Sequence, residues 1–266
     1  MPNLNVLTWN STGETPQAAA ALLAVVNYVT ARGWQPHVIV VQEANAAPGG
    51  AIYQMLAGLG GVYNQPPGHA IEGGSGGRGY LLLTHNSVQG QGTFAQADLA
   101  ADATLLAWIR ANLALPARQI AHGELAAMRM PACAALLFGG RIVPFLTWHT
   151  PRGPGGVLQG GIVQGGAMLD AFLFLQKSGY YVALNAPGVN NLGLIAGDLN
   201  ATQAGLLQQT GYPALPLVLP GFVGITNRLD HILGHPDPGQ AGPTFSDDGA
   251  FPAPGTHDIL VSTVTW

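Results

Sequence analysis

Along this chain, short apolar runs and stretches of helical spacing alternate, and the apolar runs tend to stop on polar residues. Residues 4–9, LNVLTW, read as a first strand. Thr15-Pro16 then offers an N-cap and an N1 proline, so the spacing predicts a helix to about Arg32. VIVVQ, 38–42, is a near-continuous apolar run, as expected of a strand covered on both faces. YLLLTH, 80–85, predicts a third strand, preceded by the flexible loop GGSGGRG, 73–79. Residues 98–114 and 163–177 carry helical patterns. Between them, CAALLFGGRIVPFLTWHT predicts a hairpin turning at GGR. LGLIAGDLN reads as a strand with a polar tip, and VGITNRLDHILG and ILVSTVTW as late strands. No repeat or linker divides the chain, so 1–266 is read as one domain.

The polar residues at the strand ends are Trp9-Asn10, Gln42-Glu43, His149, Asp198-Asn200, Asp230 and His257. Layered α/β proteins gather their sites at strand ends, on loops held by a rigid sheet. Glu43 follows a run in which an unpaired carboxylate is costly to bury. It either reaches solvent or ligates a hard cation such as Mg²⁺, which takes oxygen donors. Asp198 and Asn200 share one face if their strand continues through Leu199; the alternative is an Asx turn. His149 is a structural histidine or a site residue. Asp230 and His231 sit in an apolar context where at least one needs a buried partner, and an aspartate can orient an imidazole. There is no G-x-S-x-G elbow and no P-loop lysine.

Composition narrows the ligand. Only 8% of the 266 residues are charged, with nine Lys and Arg together and a formal charge of −4, against about 25% charged in ordinary domains. A broad cationic stripe for nucleic acid is therefore excluded, and a phosphate must be held by a local site. The lone cysteine, Cys133, cannot form an intrachain disulfide and reads as a small buried hydrophobe. No apolar run reaches the roughly 20 residues of a membrane span. MPNLNVLTWN has no basic n-region, so no secretory signal is expected and the compartment stays open.

TWN at 8–10, VQE at 41–43, WHT at 148–150, GDLN at 197–200, LDHIL at 229–233 and THD at 256–258 occur in one order along almost the whole chain. In that order they resemble the endonuclease/exonuclease/phosphatase superfamily, the fold of deoxyribonuclease I. Within it, LNVLTWNSTGE and MRMPACAALLFGGRIVPFLTWHT look most like the catalytic subunit of cytolethal distending toxins. The resemblance implies an α/β (α+β) four-layer sandwich, two central mixed sheets flanked by helices. It also implies Mg²⁺- or Mn²⁺-dependent phosphodiester hydrolysis, with DNA or another phosphodiester as substrate and toxin delivery subunits as possible partners. Carried over, Glu43 is the principal metal ligand with Asn10 beside it. Asp198 orients or activates the attacking water, and Asn200 holds a phosphate oxygen. His149 stabilises the phosphoryl group or protonates the leaving oxygen. Asp230 supports an imidazole or the metal, and Arg129 meets substrate phosphate.

The family's last motif is Ser-Asp-His, whereas this chain has Thr256-His257-Asp258. His257 is expected to keep the catalytic place, because it enters the closing strand with the family's spacing. Asp258 then points elsewhere or fills in as a metal ligand. Three functions follow: a toxin-like deoxyribonuclease, an enzyme of lipid or inositol phosphates, or a binding module on the same scaffold.

Overall fold

The computed structural model describes residues 3–45, 50–65, 79–90, 95–96, 132–149, 193–200, 223–227, 229–235 and 243–266. Its first sheet contains β1 (Asn3–Asn10), β2 (Val38–Ala44), β3 (Tyr63–Asn64), β4 (Gly79–His85), β12 (Thr244–Phe251) and β13 (Ile259–Thr265). Their spatial order is β12-β13-β1-β2-β4-β3. The second sheet contains β5 (Gln89–Gly90), β7 (Ala132–Phe138), β8 (Arg141–Thr147), β9 (Gly193–Asp198), β10 (Val223–Asn227) and β11 (Asp230–His235). It runs β10-β11-β9-β8-β7-β5, with β6 (Ala95–Gln96) paired to β7. Both sheets are mixed: β1–β2 and β8–β9 are parallel, and the remaining pairs are antiparallel.

Side-chain parity sorts the layers. Leu7 and Trp9 of β1, Ile39 and Val41 of β2, and Ile259 and Val261 of β13 share a core with α1 (Pro16–Thr30) and α2 (Ala51–Ala57). The alternate positions Thr8 and Gln42 face the second sheet, as a period of two requires. There Gln42 Nε2 donates to Thr8 Oγ1 and to Thr147 Oγ1, both at 3.1 Å, and so ties the sheets together. The helix α1 begins as its sequence predicts. Thr15 Oγ1 accepts from Ala18 N at 3.0 Å, and Pro16 follows. Ala18, Leu22, Val25, Val26 and Val29 make its buried stripe. Burying Leu22 alone contributes roughly 1.5–3 kcal/mol.

Several expectations are refined. The 132–147 hairpin turns on two residues, since Phe138 pairs with Arg141 and Gly139 and Gly140 have φ of 57° and 75°. A turn with two positive φ angles matches the twist of the strands, and glycine supplies both. VGITNRLDHILG is two antiparallel strands, β10 and β11, with Asn227 opposite Asp230. The helices expected over 98–114 and 163–177, the loop 73–78, Arg129 and the Cys133 side chain lie outside the described residues. The seven-residue α2, the exposed strand β12 and the two-residue strands β3, β5 and β6 had no strong sequence pattern. Among the described residues no helix is long and apolar enough to cross a membrane.

Candidate active site

Five of the predicted residues form one row across the gap between the sheets. Glu43 Oε1 is 3.4 Å from His149 Nδ1, and His149 Nε2 is 3.5 Å from Asp198 Oδ2. The same Asp198 oxygen is 3.6 Å from His257 Nε2, and His257 Nδ1 is 2.9 Å from Asp230 Oδ2. Acid and imidazole alternate along the row. It draws on β2 and the approach to β13 in one sheet, and on the ends of β8, β9 and β11 in the other.

Each position has a local cause. Glu43 is the extra residue of a β-bulge, for Gln42 pairs with Tyr80 while Ala44 pairs with Gly79. Its φ is 55°, a left-handed conformation that residues with a Cβ avoid. In a regular strand Glu43 would share the face of Val41 and point at the helices. The bulge lets Ala44 join that helix-facing core and turns Glu43 toward His149. The strand containing Asp198 stops there. Asp198 Oδ1 accepts from Asn200 N at 2.8 Å, and Asn200 has φ 48°, so the Asx turn is realised in place of a continued strand. Leu199 is buried, and Asn200 is buried next to the row. Gly197 precedes the acid because a Cβ there would overlap the carbonyl oxygen of Trp148. That close approach brings His149 beside Asp198.

The electrostatics centre on Asp198. Asp198 and Asp230 are directly opposed cross-strand partners, and both are buried. Burial first, and Asp230 second, push the Asp198 carboxyl up from 3.8 to about 6. His257, the Asn10 side chain and the Asn200 amide pull the other way. Asn10 Nδ2 donates to Asp198 Oδ2 at 2.9 Å, and Asn10 Oδ1 accepts from Thr12 N at 3.0 Å, so both ends of that amide are engaged. Asp230 fixes the second imidazole: Nδ1–H donates to the carboxylate and Nε2 is presented to Asp198. Trp9 Nε1 donates to His257 O at 3.2 Å, and Tyr80 Oη accepts from His149 N at 3.1 Å, which holds both histidine backbones.

The His257 expectation and the Asp258 expectation part here. His257 joins the row, whereas Asp258 Oδ2 accepts from Asn227 Nδ2 at 3.0 Å and is outside the acidic cluster. As a metal ligand, Asp258 would stand apart from that cluster. The donors that do converge are Asp198, Asp230 and His257, with ligand atoms within 4.8 Å of one another. Two carboxylates and an imidazole could hold a divalent cation. Glu43, with a side chain 10% exposed, offers a further carboxylate at the more open end. Sequence reasoning passed over Ser11 and Tyr80, and noted Gln42 at a strand end without giving it a role. Gln42 did carry a signal, an amide closing an apolar run, but its bridging role depends on a residue 105 positions away.

The profile of the Endonuclease/Exonuclease/phosphatase family matches residues 7–247. No curated protein sequence matches the chain. A humanized D. rerio TDP2 is similar in structure at 15% identity and TM-score 0.60, covering 99% of this chain and 99% of that one. D. rerio TDP2 complexed with a single-strand DNA product is similar at 15% identity and TM-score 0.57, covering 99% of each chain. A Bacteroides thetaiotaomicron mannosyl-6-phosphatase is similar at 12% identity and TM-score 0.53, covering 99% of this chain and 100% of that one. At these identities the likeness speaks for the fold.

Proposed function

Because the chain belongs to the endonuclease/exonuclease/phosphatase family, we propose that it is a divalent-cation-dependent phosphodiesterase acting on DNA, in the manner of a toxin-like deoxyribonuclease. The observation that carries the reading is the row Glu43–His149–Asp198–His257–Asp230. Phosphoryl transfer needs a placed water and neutralised oxygens rather than a protein nucleophile. The likeness of LNVLTWNSTGE and residues 128–150 to toxin subunits favours DNA.

In this reading Glu43, with Asn10 beside it, holds Mg²⁺ or Mn²⁺. A cation placed there neutralises charge on the substrate phosphate. The Asp198–Asp230–His257 set is assigned proton work instead, since a cation there would compete with the 2.9 Å His257–Asp230 hydrogen bond. Asp198 takes the proton of the attacking water, held in place by Asn10 Nδ2 and the Asn200 amide. Asp230 keeps Nε2 of His257 aimed inward and stabilises its protonated form. His149, between Glu43 and Asp198, donates to the phosphoryl group or the leaving oxygen. Asn200 and Arg129 are assigned to phosphate oxygens.

A second reading keeps the site and changes the substrate to a phosphomonoester or a lipid or inositol phosphate. The nine Lys and Arg in 266 residues favour it, being few for a duplex-binding surface. Supercoiled plasmid incubated with Mg²⁺ or Mn²⁺ separates the two. Nicking that His149→Ala and Asp198→Ala remove supports the nuclease. An intact plasmid at high enzyme, with phosphate released from a lipid and inositol panel, supports the second. Mn²⁺ binding with no turnover on any of these marks a binding module.

A further inference from the structure

We propose that Ser11 is a positioning residue for Glu43, and that it sets the affinity of the site for its divalent cation. The proposal rests on Glu43 holding that cation. Ser11 N donates to Gln42 O at 3.0 Å, and Ser11 Oγ lies 3.2 Å from Gln42 O and 3.0 Å from Glu43 O. One buried serine thus meets the carbonyls of the two peptides that flank Glu43. The bulge is where Glu43 adopts φ 55°. A strand has no intrinsic tendency to place a glutamate in the left-handed region, so something outside the strand must hold it. On the β4 side the Gln42–Tyr80 and Ala44–Gly79 pairs bracket Glu43, whereas on the β1 side the parallel ladder ends at Asn10 opposite Gln42. Ser11, the next residue, takes over where the ladder stops.

The neighbours of Ser11 show how the loop is anchored. Asn10 donates to Asp198 on one side. On the other, Glu14 accepts from Asn45 N and from Ile52 N, which fixes the chain leaving β2. Thr12 stands so close to Gly255 that a Cβ there would meet Thr12 Oγ1 at 2.8 Å. The loop is therefore held at both ends and against the segment leading to His257, and Ser11 is presented to the bulge from a fixed base. Without its hydroxyl, Glu43 can relax toward an extended φ, and its carboxylate leaves the His149 side for the helix side.

The test is Mn²⁺ affinity, followed by titration calorimetry on the full chain, for the parent, Ser11→Ala, Ser11→Thr, Glu43→Gln and the Ser11→Ala/Glu43→Gln double variant. Melting curves confirm that each is folded. Ser11→Ala is expected to bind Mn²⁺ about three- to tenfold more weakly, the effect of one hydrogen bond. Ser11→Thr, which keeps the hydroxyl, is expected to return to within about twofold of the parent by the same reasoning. In the Glu43→Gln background, Ser11→Ala is expected to add nothing. Unchanged affinity in Ser11→Ala, or a loss that persists without the Glu43 carboxylate, overturns the proposal. If Glu43→Gln itself binds Mn²⁺ as the parent does, the cation assignment fails separately. The clamp is then read from a crystal structure of Ser11→Ala. Glu43 turned to an extended φ supports it, and Glu43 left at positive φ overturns it.

Discussion

His257 Nδ1 lies 2.9 Å from Asp230 Oδ2, and that single hydrogen bond aims the other ring nitrogen at Asp198. Asp230→Asn is expected to release the ring tautomer and to lower kcat by about a hundredfold or more, the range of general acid–base groups. It also removes the second cause of the raised Asp198 carboxyl. The acidic limb of the rate profile should therefore move to lower pH in the variant. Steady-state rates on a labelled oligonucleotide across pH 5–8 check both effects; a limb that stays in place breaks the link between the two acids.

The Asp198 carboxyl, pushed up to about 6, makes a prediction about stability without metal. Its folded value is above its unfolded one, so its contribution is fully present below about pH 4 and is lost as pH rises through about 6. Asp198→Asn should therefore be more stable than the parent at neutral pH, by up to about 3 kcal/mol. Hydrogen bonds weakened in the variant reduce that gain. The difference should vanish near pH 4, where the parent carboxyl is protonated, while turnover is lost throughout. Denaturant melts of the metal-free proteins at several pH values measure it.

His37 has the opposite sign. Burial, then His85, lower its pKa from 6.5 to about 4, and its Nδ1 accepts from Asn5 N at 2.9 Å. Its contribution is present above pH 6.5 and is lost as pH falls through about 4. His37→Gln should flatten the fall in melting temperature between pH 6.5 and 4. An unchanged slope assigns that acid sensitivity to other groups.

Gly197→Ala is expected to cost about 2–4 kcal/mol, because the added carbon must displace the Trp148 carbonyl. His149 follows Trp148, so kcat should fall as well. A variant with parent-like melting and parent-like rate shows that the two strands can part there without consequence.

How far the fold and site could be read in advance differed from residue to residue. LNVLTW, VIVVQ and LGLIAGD announce themselves because buried strands need apolar runs, and Thr15-Pro16 because a helix start needs a cap. The strand β12 did not, since TFSDDGAF is largely exposed and has no core to encode. At the site, polar residues ending apolar runs marked Asn10, Glu43, His149, Asp198, Asp230 and His257. Their order in the row was not legible. Glu43 reaches His149 through a bulge that breaks the parity of β2, and a bulge depends on the partner strand as much as on its own residues. Likewise, choosing between His257 and Asp258 required knowing which side chain faces the gap, which a one-residue shift reverses.

β12 is terminal in its sheet among the described strands, and a free strand edge invites another chain to hydrogen-bond along it. A protein with so few charges nonetheless places Asp247 and Asp248 side by side there, both exposed. The register shifts between Asp247 and Gly249, and Asp248 is tied to Trp34 Nε1 at 2.9 Å. Like charges and an uneven edge make this outer strand a poor template for another chain to pair along.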